Sequence, residues 1–409
     1  MSATLAERQG DVGVRAARPP TVTIDEAVLG GGIYVPARLV EQAVRASRLI
    51  AKPNPEYRQW EKRCKRAGKQ VGAAPTQQYI AAGPLWTGPY EGSWWLPRHA
   101  PVAVRELHDA TTFPEASALT LGVQLRPFQQ AAVDAVLWER SGTVIAPCGA
   151  GKTTIGAAVI AALKTPALVL VHTLDLAEQW RTRCEAQLGL HPGLLAAGKV
   201  PDEGARVVVG TIQTLASWTW AERWAFGQRF GLVVLDEAHH SPARTFAEVL
   251  ASLPGRYRLG LTATPKRQDG LEDILWWSCG RSVYEIRQKD LEQQGYTLTP
   301  RIEWLTTSFR PRTDPDDWTA LMSELAADED RNALVTGRTL EEAGAGRCVL
   351  VLADRVSHCE DLAARVGSAG VGARALTGTL TKKARASVLE EVNAGALSVV
   401  TATSLADEG

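Results

Sequence analysis

Residues 146–154 read A-P-C-G-A-G-K-T-T. A short apolar run, Thr143, Val144 and Ile145, precedes them, and an apolar stretch with helical character, T-T-I-G-A-A-V-I-A-A-L over residues 153–163, follows. The order strand, glycine-rich turn, helix is that of a phosphate cradle. Gly149 and Gly151 let the backbone curl so that its N–H groups converge on an anion, and the helix N-terminus adds favourable partial charge. Cys148, Gly149, Ala150, Gly151, Lys152, Thr153 and Thr154 are therefore the candidate phosphate-binding residues, with Lys152 reaching the β/γ-phosphates and the Thr153 hydroxyl on Mg2+. The strict pattern has Gly where this chain has Ala146.

A second string completes the chemistry. Residues 231–235 (G-L-V-V-L) form a continuous apolar run, expected of a strand buried on both faces, and Asp236 and Glu237 follow at its carboxyl end within L-D-E-A-H-H. Two adjacent carboxylates there supply a metal-holding acid, Asp236, and a base for a water, Glu237. Lys152, Asp236 and Glu237 are the candidate catalytic residues of a Mg2+-dependent nucleotide hydrolysis site, with Thr153 and Asp236 on the metal.

Composition narrows the class. Among 409 residues, 45 Lys and Arg balance 45 Asp and Glu, so global charge announces no polyanionic partner. An apolar fraction of 45% suffices for packed cores. No apolar run is long enough for a membrane span, and the N-terminus lacks a secretory apolar core. The six cysteines are scattered without C-x-x-C spacing, which points to a reducing, cytoplasmic setting rather than a disulfide framework or zinc site.

Along the chain, residues 1–20 are Ala-, Arg-, Pro- and Gly-biased and are expected to be a disordered tail. Residues 21–120 form a small α/β accessory region. Within it, Arg58, Lys62, Arg63, Lys65, Arg66 and Lys69 cluster near Tyr57, Trp60, Trp86, Trp94 and Trp95. Two readings stand: a base-stacking, backbone-tracking DNA surface, or a solvated helix face with tryptophans in a small core. Residues 121–295 alternate strand and helix patterns, with strands near 143–146, 167–171, 206–210, 232–235 and 257–261, which is the βαβ arrangement of a parallel sheet. Residues 296–409 repeat that style.

At this point the strings resemble a superfamily 2 DEAH-type helicase, in the branch of the xeroderma pigmentosum B-type, phage and type III restriction (ResIII) motors. Residues 125–129 (L-R-P-F-Q) resemble the Q motif, which implies Arg126 and Gln129 near an adenine. Residues 168–180 and 209–215 resemble motifs Ia and Ib, residues 259–265 (L-G-L-T-A-T-P) motif III, residues 349–355 motif IV and residues 399–409 motif V. The resemblance implies two RecA-like P-loop NTPase lobes with parallel sheets, the second incomplete, with ATP and Mg2+ between them and DNA as partner. It implies nucleic-acid contacts at His172, Thr173, Thr211, Gln213, Asp354, Arg355 and Thr403. It implies coupling of nucleotide state to movement through His239, Thr262 and Thr264. Arg267, Gln268 and Asp269 stand where the repair-type branch has Arg-Glu-Asp.

The sequence stops at Gly409, within the motif V resemblance and before any motif VI. A truncated or front part of a longer motor is the expectation. An ATP-dependent DNA translocase or helicase leads. The motor of a restriction or recombination assembly, and a nearly inactive ATP- and DNA-binding protein, are the alternatives.

Overall fold

The computed structural model describes residues 22–67, 70, 74, 78–79, 82–196, 198–236, 243–264, 271–314 and 317–403. The chain divides into two compact units, Met1–Thr299 and Pro300–Gly409.

The first unit holds two sheets. The smaller comprises β1 (Thr23–Leu29), β2 (Gly32–Val35), then α1 (Val40–Leu49), β3 (Lys52–Pro53), α2 (Pro55–Ala67), β4 (Gln78–Tyr79), β5 (Gly83–Pro84), β6 (Trp94–Pro97) and β7 (Ala103–Asp109). Its order is β5-β6-β2-β1-β7, with β3 and β4 paired apart. The neighbours pair antiparallel except β7, which lies parallel to β1 with Ile24 opposite Val104. Ala43, Ala46 and Ile50, at helical spacing, bury against Ile24, Ala27, Val35 and Leu96.

The larger sheet is built from α3 (Pro127–Glu139), β8 (Ser141–Ile145), α4 (Lys152–Leu163), β9 (Ala167–Val171), α5 (Leu174–Leu188), β10 (Gly193–Leu195), β11 (Val207–Thr211), α6 (Ile212–Ala216), α7 (Trp220–Gly227), β12 (Leu232–Asp236), α8 (Ala243–Ala251), β13 (Tyr257–Thr262), α9 (Glu272–Cys279), β14 (Ser282–Glu285) and α10 (Gln288–Gln293). Seven strands run in the order β10-β11-β9-β12-β13-β8-β14, and every pairing is parallel. The central strands β9, β11 and β12 are buried at every residue, because helices cover both faces. A parallel sheet aims all its carboxyl ends at one edge. That edge carries the loop after β8 and the ends of β9, β11, β12 and β13.

One side chain binds the two sheets together. Arg258 on β13 is fully buried. Its guanidinium donates to four main-chain carbonyls: Ser278 at 2.8 Å, Gly31 at 2.6 Å, Leu250 at 2.7 Å and Leu253 at 2.9 Å. Three of these lie at or just beyond the C-terminal turns of α8 and α9, where orphan carbonyls and the negative end of the helix dipole favour a cation. The fourth lies in the β1–β2 turn. Tyr34 Oη donates to the Ala251 carbonyl at 2.5 Å, Arg98 Nη1 to the Gly255 carbonyl at 2.8 Å, and Lys52 pairs with Asp273. Around them Tyr34, Leu85, Trp95, Trp220, Ala247, Ala251 and Ile274 form a core shared by both sheets.

That shared core takes in part of the tryptophan cluster. Trp95 is buried, and half-buried Trp94 donates its indole N–H to Ser47 Oγ at 2.9 Å, so both serve packing rather than base stacking; Trp86 is 79% exposed. On α2, Lys62, Arg63 and Lys65 are exposed, with Lys65 paired to Glu61. Lys69 lies outside the described residues.

The second unit contains α11 (Trp318–Ala327), α12 (Glu329–Gly344), β15 (Val349–Leu352), α13 (Val356–Ser368), β16 (Ala373–Leu376), α14 (Lys382–Asn393) and β17 (Val399–Ala402). Its three strands are parallel in the order β15-β17-β16. Asp317 and Asp328 cap α11 and α12 by accepting from Ala320 and Arg331 N–H. Buried His358 meets Asn332 Oδ1 at 2.8 Å and locks α13 to α12.

Candidate nucleotide and nucleic-acid site

The loop after β8 has the conformation its glycines predict. Gly149 and Gly151 take φ of +81° and +82°. Ala150 N–H donates to the Pro147 carbonyl at 3.2 Å, and Gly151 is the N-cap of α4, its carbonyl accepting from Ile155 N–H at 3.0 Å. A Cβ on Gly151 would also lie 2.5 Å from Gln129 Nε2, so both backbone angle and space demand glycine there. The helix begins at Lys152, one residue before the sequence reading placed it. Lys152, Thr153 and Thr154 occupy its first turn, and Cys148 is exposed at the loop's tip.

Asp236 ends β12, opposite Leu261 of β13, and is buried. The indole Nε1 of Trp180, on α5, donates to Asp236 Oδ2 at 2.7 Å. Trp180 is 1% exposed and lies against α4, where a Cβ on Gly156 would come within 2.5 Å of its ring. Trp180 thus fixes the carboxylate's orientation, and sequence reasoning passed it over. The signal was Gly156: a glycine inside an apolar helix costs about 1 kcal/mol against alanine and implies a close neighbour. Glu237 and His239 lie outside the described residues.

The motif III strand touches the loop directly. Ala146 N–H donates to the Thr262 carbonyl at 2.9 Å, and Thr262 Oγ1 donates to the Thr264 carbonyl at 2.9 Å. Ala146 is fully buried beside β13, a position where the backbone N–H matters and a methyl group is tolerated.

The Q-motif residues are held by the loop they flank. Gln129 Oε1 accepts from Arg126 N–H at 3.0 Å, and its Nε2 donates to the Ala150 carbonyl at 2.9 Å. The Arg126 guanidinium lies over the Tyr296 ring, 4.6 Å from its centroid. Arg126, Gln129, Gly149, Gly151, Thr154 and Gln187 line a cavity of about 260 Å3 beside the loop. Gln187 and Tyr296 were not among the residues expected from sequence.

The expected nucleic-acid contacts of the first unit share the same sheet edge. His172 follows β9, and Thr173 caps α5 by accepting from Leu176 N–H at 3.2 Å. Thr211 ends β11 and caps α6 by accepting from Thr214 N–H at 3.3 Å, with Gln213 exposed beside it. In the second unit, Asp354 is exposed after β15, and Thr403 follows β17. Arg355 turns onto α11, donating to the Thr319 carbonyl at 2.8 Å and Ser323 Oγ at 3.2 Å.

Among the described residues no group of three or more His, Cys, Asp or Glu side chains could cage a metal. A Mg2+ held by one carboxylate, one hydroxyl and nucleotide phosphates needs no such cage. Buried Asp236 and the first-turn hydroxyl of Thr153 fit that donor set.

The chain resembles known proteins over much of its length. The family described as "Type III restriction enzyme, res subunit" matches residues 122–267. The "DNA 3'-5' helicase XPB" of Kineococcus radiotolerans is 31% identical over 315 residues, 72% of this chain and 53% of that protein. The chain is similar to the XPB/ResIII-type superfamily 2 helicases. The "DNA 3'-5' helicase XPB" of Mycobacterium tuberculosis is 36% identical over 43% of this chain and 33% of its own length. The "DNA 3'-5' translocase XPB2" of Sulfurisphaera tokodaii is 34% identical over 41% and 37%. The chain thus spans about half or less of the curated superfamily 2 relatives it matches. The helicase domain of Pyrococcus furiosus Hef aligns over 71% of this chain and 88% of that one, at 16% identity and a TM-score of 0.43, so the fold reading rests on the parallel sheet order itself.

Proposed function

We propose that this chain is the motor region of an ATP-dependent DNA translocase or helicase. The observation that carries the reading is the single sheet edge on which the phosphate loop, Asp236 and Thr262 converge, with Ala146 N–H bonded to the Thr262 carbonyl. Lys152 and the loop N–H groups bind the β/γ-phosphates. Thr153 and Asp236 would hold Mg2+, which would supply neutralisation of the phosphate charge. Glu237 takes a proton from the attacking water, and Trp180 keeps Asp236 in position. Thr262, Thr264 and His239 relay nucleotide state. His172, Thr173, Thr211, Gln213, Asp354, Arg355 and Thr403 contact DNA, and exposed Lys62, Arg63 and Lys65 of α2 add salt-sensitive affinity.

The names of the relatives, DNA 3'-5' helicases and translocases, support DNA as the track. The family description supports a second reading, a motor within a restriction assembly. No helix among the described residues is long and apolar enough to cross a membrane, and we place the protein in the cytoplasm.

The test is ATPase turnover with and without single-stranded and duplex DNA, alongside nucleotide titration. Lys152→Ala should lose affinity and turnover together. Glu237→Gln should keep affinity and lose turnover. Equal affinity loss in both variants would contradict the assigned roles, and turnover indifferent to DNA would remove the translocase reading.

A further inference from the structure

We infer that Gln187 selects the base of the bound nucleotide. The inference rests on the nucleotide reading above and assigns within it a residue outside the motifs. Gln187 is 7% exposed, near the C-terminus of α5, and forms a wall of the cavity beside the phosphate loop. Its Nε2 donates to Thr154 Oγ1 at 3.0 Å, while its Oε1 is buried and has no hydrogen-bond partner among the described residues. A buried carbonyl oxygen without a donor is costly, and such a group in a ligand-sized space points to a donor that arrives with the ligand.

Of the other polar side chains lining the cavity, Gln124 is exposed, where water satisfies its carboxamide. Gln129 spends its carboxamide on Arg126 N–H and the Ala150 carbonyl. Arg126 lies flat on Tyr296 and offers a planar cation for stacking. Gly149 and Gly151 belong to the phosphate cradle. The buried hydrogen-bonding atom of the lining that lacks a partner is the Gln187 oxygen, an acceptor. The Gln187 main-chain carbonyl also accepts from Gly122 N–H at 2.7 Å, so the helix end is tied to the segment entering the Q motif and its side chain is held in register.

An acceptor in that position matches the exocyclic amino group of a 6-aminopurine. A 6-oxopurine would set oxygen against oxygen with no proton between them, leaving two buried acceptors unpaired. The structure assigns Gln187 to preferring adenine over hypoxanthine or guanine nucleotides.

The test compares fluorescent derivatives of ATP and ITP, which differ at the 6-position, by equilibrium titration. The wild-type chain should prefer ATP by about tenfold or more. Gln187→Met keeps the shape without the amide and should bring the ratio near one, chiefly by weakening ATP. Gln187→Glu keeps an acceptor and should retain the preference whatever its overall affinity, which separates base selection from a fold defect. An ATP:ITP ratio unchanged in Gln187→Met, or no preference in the wild type, overturns the assignment. Wild-type binding of neither nucleotide, matching Lys152→Ala, would sink the nucleotide reading and this inference with it.

Discussion

Replacing Arg258 with Met should loosen the first unit at the junction of its sheets. Methionine approximates the stem of the arginine but leaves the carbonyls of Gly31, Leu253 and Ser278 without a donor, while that of Leu250 keeps the Leu253 N–H. Each orphaned buried acceptor costs about 1–3 kcal/mol. Two effects reduce the sum: water enters to re-satisfy some carbonyls, and a buried charge is removed. Burial pushes the Arg258 pKa down to about 10, so the guanidinium still stays charged at ordinary pH. A net loss of about 3–6 kcal/mol follows for three orphaned acceptors once these offsets are taken. At about 2 °C per kcal/mol for a unit of this size, the melting transition should fall by about 6–12 °C. Differential scanning calorimetry is the assay. Hydrogen exchange should localise the loss to the β1–β2 turn and the ends of α8 and α9. A shift under about 2 °C, or exchange spread evenly over the unit, would refute the idea that one guanidinium holds these elements together.

Three further outcomes are expected. Trp180→Phe keeps the ring but removes the bond to Asp236; at about 1.5–3 kcal/mol for a hydrogen bond to a charged group, turnover should fall about 10–150-fold with nucleotide affinity little changed, and turnover within twofold of wild type would clear Trp180 of a positioning role. His99 is held neutral, its pKa pushed down to about 3 by burial and by Arg98 and Arg258. Its contribution is therefore complete above about pH 6.5 and is lost as pH falls towards 3, at about 1.4 kcal/mol per unit; His99→Asn should flatten that part of the stability profile, and an unaltered profile would exclude His99 as its source. Maleimide should label exposed Cys148 and Cys348 and spare buried Cys184, Cys279 and Cys359, with Mg-nucleotide protecting Cys148 alone; mass-spectrometric mapping that finds Cys148 indifferent to nucleotide would place it away from the phosphates.

The larger sheet was legible in the sequence because its strands report their own burial. L-V-V-L before Asp236 and A-L-V-L-V before His172 are continuous apolar runs, and the structure places them in central strands buried on both faces. The phosphate loop was legible because its glycines answer to backbone angles. The smaller sheet was not. Its β1 and β7 pair across the whole intervening region, and no local period announces a partner that far away. Trp94 and Trp95 stayed open between stacking and packing because composition cannot tell a buried indole from an exposed one. Arg258 sits in Y-R-L-G-L-T, where a lone charge reads as an outward-facing residue; only the carbonyls gathered from three other segments explain it. Gln187 and Tyr296 reach the cavity from segments that carry none of the motif strings.

The shared core also bears on how this protein can be dissected. A cut near residue 120 follows the sequence boundary, yet it would strip the cover from Trp220, Ala247, Ala251 and Ile274 and bare an apolar surface on the remaining fragment. Such a fragment would be prone to self-association, and its DNA-binding curves would report aggregation as much as contact loss. Surface charge replacement at Lys62, Arg63 and Lys65 leaves that cover in place. The two sheets are thus a single module for engineering and for inheritance: a graft or domain exchange between relatives should carry residues 22–299 as one piece.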